Sequence, residues 1–237
     1  MAKPHYTYQS VVCFHNLHLK GWSFGFLWQN GSLPTKLPQT NMGDSRRQYR
    51  RLRDCIQPGV IVLFVGINPG LRSAATGHHF AGYSSRFWKL LFESKLTPEP
   101  LTHQDDWRLP EWGLGLTNII QRPSAGIDVL KPREYIAGRK RLIATVKHYR
   151  PHAVALLGVT IYRTLFPEYR TGRISLGLQA KTLADRPVFV LPNPSGRNAH
   201  YSYRTMLMAF RALRNATNEL AQGATKGTIP IGRLGQL

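Results

Sequence analysis

The sequence has few cysteines, few acidic residues and no long hydrophobic run, and each shortage excludes a class of protein. Two cysteines, Cys13 and Cys55, are too few for a secreted disulfide scaffold or a Cys-rich metal site. The longest apolar run is Val60 to Val65, far short of the roughly 20 residues that span a bilayer. The N-terminus also lacks the basic-then-apolar pattern of a secretory signal. We therefore expect an intracellular protein with no membrane partner.

The shortage of acidic residues leaves a large excess of positive charge. Among 237 residues there are 32 lysines and arginines but only 12 acids, a formal net charge of +20. Residues 59–221 alone hold 22 basic and 10 acidic residues, so the excess is not confined to the termini. A basic globular region is typical of proteins that dock onto phosphates. The run of arginines at 46, 47, 50, 51 and 53 fits a nuclear localisation signal, a phosphate clamp or a solvated helix face equally well.

Composition divides the chain into three parts. Residues 1–55 show no sustained periodicity and carry much basic charge, which predicts a flexible N-terminal extension. Residues 56–221 contain the apolar runs and periodic segments of one folded domain. Residues 222–237 have no such pattern, and we expect a disordered tail.

Apolar runs and helical periodicity alternate within the predicted domain. Four continuous runs predict strands that are covered on both faces, as in a parallel sheet: 60–65, 114–119, 153–157 and 188–191. Helical patterns cover residues 86–95 after Ser85 as a possible N-cap, 132–150 and about 206–220. This alternation predicts an α/β fold, a three-layer α/β/α sandwich.

Loops at the carboxyl ends of such strands meet at one edge, where ligands bind. The first of them is Gly66-Ile67-Asn68-Pro69-Gly70. It is not a dinucleotide fingerprint, and no phosphate-binding P-loop occurs in the chain, which disfavours a doubly wound nucleotide-binding enzyme. The turn instead holds the Asn68 amide at a strand end. That amide orients a water or a polar ring there, unless it only closes the turn through the backbone.

Four short segments in a fixed order carry a family resemblance: 66–70 (GINPG), 76–80 (TGHHF), 86–89 (RFWK) and 191–196 (LPNPSG). The set resembles the mismatch-specific uracil/thymine-DNA glycosylases, a branch of the uracil-DNA glycosylase superfamily, over roughly residues 56–220. Residues 101–106 and 116–118 are similar to the eukaryotic thymine-DNA branch. The Asn-Pro-Ser-Gly loop and Ser73 are similar to the bacterial mismatch-uracil branch.

The resemblance implies a four-stranded parallel sheet between helices and a DNA-repair reaction without metal or cofactor. A monofunctional enzyme of this kind flips uracil out of a G·U pair, or thymine out of a G·T pair, in duplex DNA and hydrolyses its N-glycosidic bond, leaving an abasic site. We expect a monomer in the nucleus, with a bacterial cytoplasm as the alternative. Because Ser85 stands where the family usually has Asn, a non-catalytic DNA-binding protein on a decayed glycosylase fold is the alternative function.

The resemblance also implies roles for residues near the strand ends. Asn68 positions the hydrolytic water, Phe80 stacks on the base, and backbone N–H groups around Ile67 and Phe80 donate to the departing base. Further positions match the lining of the base pocket: Ser73, His79, Asn118 and Ser124. His79 is explained equally well as a structural histidine.

The remaining sites concern DNA contacts. The loop Ser195-Gly196-Arg197 resembles the wedge that fills the space left by the flipped nucleotide, although Arg197 also fits a phosphate contact at a helix start. Phosphate contacts or solvated charges are predicted at Lys89 and Arg122, and a phosphate or pocket contact at Ser85. Asp105 and Asp106 precede the second strand, so we interpret them as a charged turn rather than a catalytic pair.

Overall fold

The structure, a computed structural model, describes residues 51–225, with side chains to residue 220. The predicted extension as far as residue 50, including Arg46, Arg47 and Arg50, and the tail from residue 226 lie outside the described residues. Residues 51–55 pack against the domain: Leu52 is buried, and Cys55 exchanges backbone hydrogen bonds of 2.9 and 2.7 Å with Leu116. The domain therefore begins a few residues before position 56.

A five-stranded sheet forms the centre of the domain. Its strands are β1 (Val62–Gly66), β2 (Leu114–Asn118), β3 (Ala153–Leu157), β4 (Gly177–Leu183) and β5 (Arg186–Leu191). They lie in the order β2-β1-β3-β5-β4, with β4 antiparallel to β5 and all other pairs parallel. The predicted α/β class is confirmed. The predicted all-parallel four-stranded sheet is corrected by one antiparallel edge strand.

The edge strand β4 escaped prediction because nothing in its sequence marks it. Most of its residues are exposed or half-buried, so it lacks the apolar run of a central strand. A two-residue turn, Ala184-Asp185, joins it to β5, and both residues have positive φ (49° and 62°). Two-residue hairpin turns with positive φ usually contain glycine or asparagine, and these residues make such turns predictable from sequence. Here neither residue is present, so the hairpin signal is missing.

Five α-helices surround the sheet: α1 (Leu71–Thr76), α2 (Phe87–Glu93), α3 (Pro132–Tyr149), α4 (Val159–Leu165) and α5 (Tyr203–Thr225). Two 3₁₀ segments cover His103–Trp112 and Pro167–Tyr169. The predicted N-cap of α2 is wrong by one residue, because Arg86 holds that position while the Ser85 hydroxyl accepts from the Phe87 N–H at 3.4 Å. The short helices α1 and α4 were not predicted.

The helices cover both faces of the sheet, which gives the three layers. On one face α2 and α5 pack over Phe64, whose ring lies 5.4 Å from that of Phe87 and 6.1 Å from that of Phe210. On the other face α3 and α4 pack over Leu63 and Val65. All five residues of β1 are buried, so the loop that follows it starts from a fixed base. Within residues 51–225, no helix combines the length and apolarity needed to cross a membrane.

Candidate active site

The loops after β1 and β2 are joined along their length by backbone hydrogen bonds. The Ile119 N–H donates to the Gly66 carbonyl and the Ile120 N–H to the Ile67 carbonyl, both at 2.8 Å. Further along, the Ser124 N–H donates to the Pro69 carbonyl at 3.1 Å. Parallel strands bring these two loops to one edge, as the sequence predicted.

The Asn68 side-chain amide is fixed in one orientation by this pair of loops. Its Nδ2 lies 2.7 Å from the Ser124 Oγ, 3.1 Å from the Pro69 carbonyl and 3.3 Å from the Arg122 carbonyl. Because carbonyl oxygens only accept, the NH₂ group must face them. The Oδ1 atom is then left as an acceptor, and among residues 51–220 no group donates to it.

Ser124 is a partner of Asn68 rather than a free pocket-lining group. Its Oγ accepts from the Asn68 Nδ2 and donates to the Gly126 carbonyl at 2.5 Å, so both functions of the hydroxyl are used. The residue is also buried. The family resemblance predicts Ser124 in the lining of the base pocket. In the structure its hydroxyl holds the Asn68 amide, a contact that the sequence position of Ser124 did not reveal.

Gly66 at the end of β1, Asn118 at the end of β2 and the ring of Phe80 lie next to one another, and together they form what we call the base slot. A Cβ atom at Gly66 would stand 2.5 Å from the Asn118 Oδ1 and 3.9 Å from the Phe80 Cζ, so a side chain at this position would displace the Asn118 amide. The Asn118 residue is buried, yet its carboxamide has no hydrogen-bond partner among the described residues. Phe80 stacks on Phe87 with ring centroids 4.1 Å apart. The Phe80 side chain is half-buried, and it also lines a cavity beside α2.

The backbone at Phe80 is held in an unfavourable conformation by its neighbours. Its φ is 51°, in the left-handed region that aromatic residues rarely adopt. On either side, the His79 N–H donates to the Asp106 Oδ2 at 2.8 Å and the Ala81 N–H to the Ser73 Oγ at 3.1 Å. Ser73, predicted in the pocket lining, is buried and has this bracing role. Strain of this kind is typical of residues that must present a group to a ligand.

Two backbone donors near the slot remain free. The N–H groups of Ile67 and Phe80 have no acceptor among residues 51–225. Unpaired backbone donors at the end of a buried strand are suited to a ligand that carries negative charge. The family resemblance implies a donor role for the same two groups, which stays a prediction.

His79 is placed as a structural histidine. It is only 3% exposed, and its Nε2 lies 2.9 Å from the Arg53 carbonyl, to which it donates. Burial lowers the pKa of the ring, so it is neutral at pH 7. Between the two interpretations left open by the sequence, these contacts favour the structural one.

The acidic pair also has structural partners, and for Asp106 the predicted charged turn is wrong. Asp106 is buried and accepts hydrogen bonds from the His79 backbone and, at 3.0 Å, from the His78 Nδ1. Asp105 closes a capping box with Thr102 at the start of the 3₁₀ segment. Both carboxylates therefore support local structure.

A charged network that the sequence did not reveal supports the end of β2. Arg141 on α3 binds the Asp54 carboxylate at 2.7 Å and donates to the carbonyl of Asn118. The Thr117 hydroxyl also donates to Asp54, at 2.8 Å. These residues are up to 87 positions apart, so no short motif could have found them.

The loop after β5 forms one side of the site mouth and is packed closely on the loop before α2. The Arg86 N–H donates to the Pro194 carbonyl at 2.9 Å. A Cβ at Gly196 would come within 2.6 Å of the Ser84 carbonyl oxygen, so the approach requires glycine. Within the loop, the Ser195 N–H donates to the Asn193 Oδ1 at 3.0 Å.

Arg197 crosses from this loop to the opposite side of the mouth. Its side chain is exposed, and its Nη1 donates to the Ala125 carbonyl at 3.1 Å. The loops after β2 and β5 are therefore connected by one exposed guanidinium.

The other predicted DNA contacts have protein partners of their own. Arg122 makes a two-point ion pair with Glu134, at 2.7 and 2.9 Å, and this guanidinium lowers the pKa of Glu134 to about 2. A phosphate would have to compete with that carboxylate. Lys89 is 67% exposed and 3.6 Å from Glu93, so it remains accessible to a phosphate.

The fold and these loops define an α/β protein with an oriented amide and free backbone donors at the carboxyl edge of its sheet. The sequence model of the uracil DNA glycosylase superfamily matches residues 54–221, and the chain belongs to that superfamily. Its members are DNA N-glycosylases, hydrolases that remove damaged bases during DNA repair. Within residues 51–225, no three His, Cys, Asp or Glu side chains lie close enough together to hold a metal ion.

Proposed function

We propose that the protein is a monofunctional, mismatch-specific glycosylase that removes uracil opposite guanine in duplex DNA. Thymine opposite guanine is the second candidate substrate. The reaction hydrolyses the bond between C1′ of the sugar and N1 of the base and leaves an abasic site. The observation that carries the proposal is the fixed amide of Asn68, whose Oδ1 is directed away from three protein contacts.

The Asn68 Oδ1 is suited to hold the hydrolytic water. An amide cannot take a proton at neutral pH, but its oxygen accepts a hydrogen bond and so orients the water. The loop 66–70 contains no carboxylate that could act as a base. Orientation, rather than prior deprotonation, is therefore the contribution of this residue.

The slot supplies what the departing base requires. Breaking the glycosidic bond leaves negative charge on the pyrimidine, and the N–H groups of Ile67 and Phe80 are preorganised donors for it. The Phe80 ring supplies a stacking surface, and the free carboxamide of Asn118 can pair with the polar edge of the base.

Lysine is absent from the three loops at this edge, at positions 66–70, 118–124 and 192–197. A glycosylase that also cuts the strand needs an amine to attack C1′ and form an imine. The absence of such an amine from these loops supports simple hydrolysis.

Recognition of a mispaired base depends on flipping, which costs least where pairing is already weak. Arg197 is exposed at the mouth and can enter the vacated space, where its guanidinium can donate to the O6 atom of an orphan guanine. This residue is therefore the part of the site best placed to sense the opposite base.

The test is an alkali-cleavage assay with the full chain on four matched duplexes, containing G·U, G·T, A·U and G·C pairs. We expect cleavage of the G·U strand first, and none at G·C. Equal rates on G·U and A·U would remove the mismatch preference but leave the glycosylase activity. Binding of all four duplexes with no cleavage would leave a DNA-binding protein without catalysis.

A further inference from the structure

A second cavity of about 550 Å³ lies beside the site, on the outer side of the Phe80 loop. Its walls come from residues 80–85, from α2 and from the start of the 3₁₀ segment at Thr102 and His103. Neither Asn68 nor Asn118 lines it, but Phe80 does, so the cavity adjoins the residues proposed to hold the base. The proposed reaction gives no role to Tyr83 or Arg72, which also line it.

Tyr83 is the most exposed large side chain of this groove. It is 90% exposed, the highest value among the exposed large hydrophobic side chains of residues 51–220. The guanidinium of Arg72 lies 3.6 Å from the ring centroid, and the Arg72 Nε donates to the Ala81 carbonyl at 2.6 Å. The ring is thus supported from one side and open on the other.

The charges along the groove favour an anionic ligand. Arg72 and Lys89 line it against one carboxylate, Glu93, so the lining carries a net positive charge. Glu93 lies 3.6 Å from the Lys89 Nζ and accepts from the Tyr203 hydroxyl at 2.9 Å. Cations beside an exposed aromatic ring are the combination that binds unstacked nucleotides, with phosphates on the cations and a base on the ring.

The position of Tyr83 connects the groove to the DNA-facing side of the site. Its neighbour Ser84 is in close contact with Gly196 of the loop that carries Arg197. When a nucleotide leaves the stack to enter the slot, the next base of the same strand loses a stacking partner on one side. An exposed ring at the rim can replace that partner.

We propose that the Tyr83–Arg72 groove binds the nucleotide adjacent to the flipped one, stacking its base on Tyr83 and holding its phosphate near Arg72 and Lys89. The inference rests on the proposed function for its geometry, because it requires a flipped nucleotide in the neighbouring slot. It assigns a DNA contact to Tyr83 and Arg72, which lie outside the four segments that carry the family resemblance.

The test is a double-mutant cycle between Tyr83 and the DNA base. The probe is a G·U duplex whose uridine carries a 2′-fluoro substituent that prevents excision. In a second set of duplexes, one nucleotide on either side of the uridine is replaced by an abasic analogue. Affinities of the full chain are measured for wild type, Tyr83→Ala and Tyr83→Phe. Trp107→Ala is the matched control, because Trp107 is an aromatic residue 65% exposed that lies outside the groove.

Tyr83→Ala is expected to weaken binding of the intact probe by about tenfold, the typical effect of losing one stacked base. It should not weaken binding of the probe that lacks the neighbouring base on which Tyr83 stacks, because that contact is already absent. Tyr83→Phe should bind like wild type, and Trp107→Ala should change neither affinity. Equal weakening of all probes by Tyr83→Ala, or none, overturns the proposal.

Excision is measured separately so that the two proposals fail separately. If wild type removes no uracil, the proposed substrate is wrong, but coupling between Tyr83 and a base can still be measured on single-stranded DNA. If excision occurs without coupling on any probe, the groove is not a nucleotide site. Because Tyr83 is exposed, circular dichroism should show unchanged folding for its variants.

Discussion

The two sides of the site mouth are built in different ways. On the inner side, Asn68 is held by contacts to Ser124, Pro69 and Arg122, all supplied by two loops that are joined through their backbones. On the outer side, Arg197 and Tyr83 are exposed and rest on single contacts, with Ala125 and Arg72 respectively. The first arrangement is suited to a chemical step, where sub-ångström placement matters. The second is suited to meeting a duplex.

This difference predicts which measurement each residue should change. Substitutions on the inner side should lower the rate of excision with little effect on DNA affinity. Substitutions on the outer side should change affinity or the advantage of one DNA structure over another.

The largest effect is expected for Asn68→Ala. Loss of a positioned catalytic group commonly costs about 10²–10³ in rate, and we expect a loss of this size in single-turnover excision of G·U. Duplex affinity should stay within a few-fold of wild type, since the residue lies inside the mouth. Asn215→Ala is the control, because Asn215 is an exposed asparagine on α5, and it should leave the rate of excision unchanged. Excision by Asn68→Ala at the wild-type rate would refute the assigned water site.

Arg197→Ala should reduce excision from paired duplex more than from single-stranded DNA. Flipping costs a few kcal/mol in a duplex, so a residue that fills the gap matters most there, and we expect about a tenfold change in the ratio of the two single-turnover rates. If Arg197 contacts only a phosphate, both rates should fall together. The slope of log binding constant against log salt concentration should then decrease in magnitude by about 1. An unchanged ratio would therefore support the phosphate contact instead of the wedge.

Ser124→Ala should give a smaller loss than Asn68→Ala, by about two- to tenfold, the equivalent of one hydrogen bond. The Asn68 amide would keep its two carbonyl partners but lose its shortest contact, that of 2.7 Å. The measurement is the single-turnover rate at saturating enzyme, where affinity has no influence. Ser124→Thr retains the hydroxyl and should restore most of the rate. If Ser124→Ala instead weakens binding and spares the rate, the residue contacts the base after all.

The smallest effect concerns stability and His79. Burial lowers the pKa of this ring, so the unfolded chain binds more protons than the folded one as pH falls below the ordinary histidine pKa of about 6.5. Its contribution to stability is therefore complete above that pH and is lost on acidification. Urea titrations at about pH 7.5 and about pH 5.5 should show a fall for wild type that is smaller in His79→Gln, which keeps a donor for the Arg53 carbonyl. An equal fall in both proteins would assign the pH dependence to other groups.

Much of the fold and part of the site could be predicted because their signals are local. Strands β1 and β3 have almost entirely apolar sequences, β5 contains the apolar run 188–191, and Asn68 follows two residues after the end of β1. The edge strand β4 gave no such signal, since it is polar and its turn contains no glycine.

The groups that support the site could not be predicted, because each acts through a partner that is distant in sequence. Ser124 is 56 residues from Asn68, and Arg141 is 23 residues from Asn118. Asp106 supports the Phe80 turn from 27 residues away. Patterns of spacing find what faces a ligand at the end of a strand, but the contacts behind it depend on how the loops pack.

The amide of Asn68 never changes its charge at any pH a cell experiences, and this has a consequence for substrate choice. A water that is oriented but not deprotonated is a weak nucleophile, so in the proposed reaction the base must leave largely by its own ability to carry the electron pair. Candidate lesions would then be ranked by the acidity of the ring that departs. Selectivity would arise from the chemistry of the damage as much as from the shape of the slot.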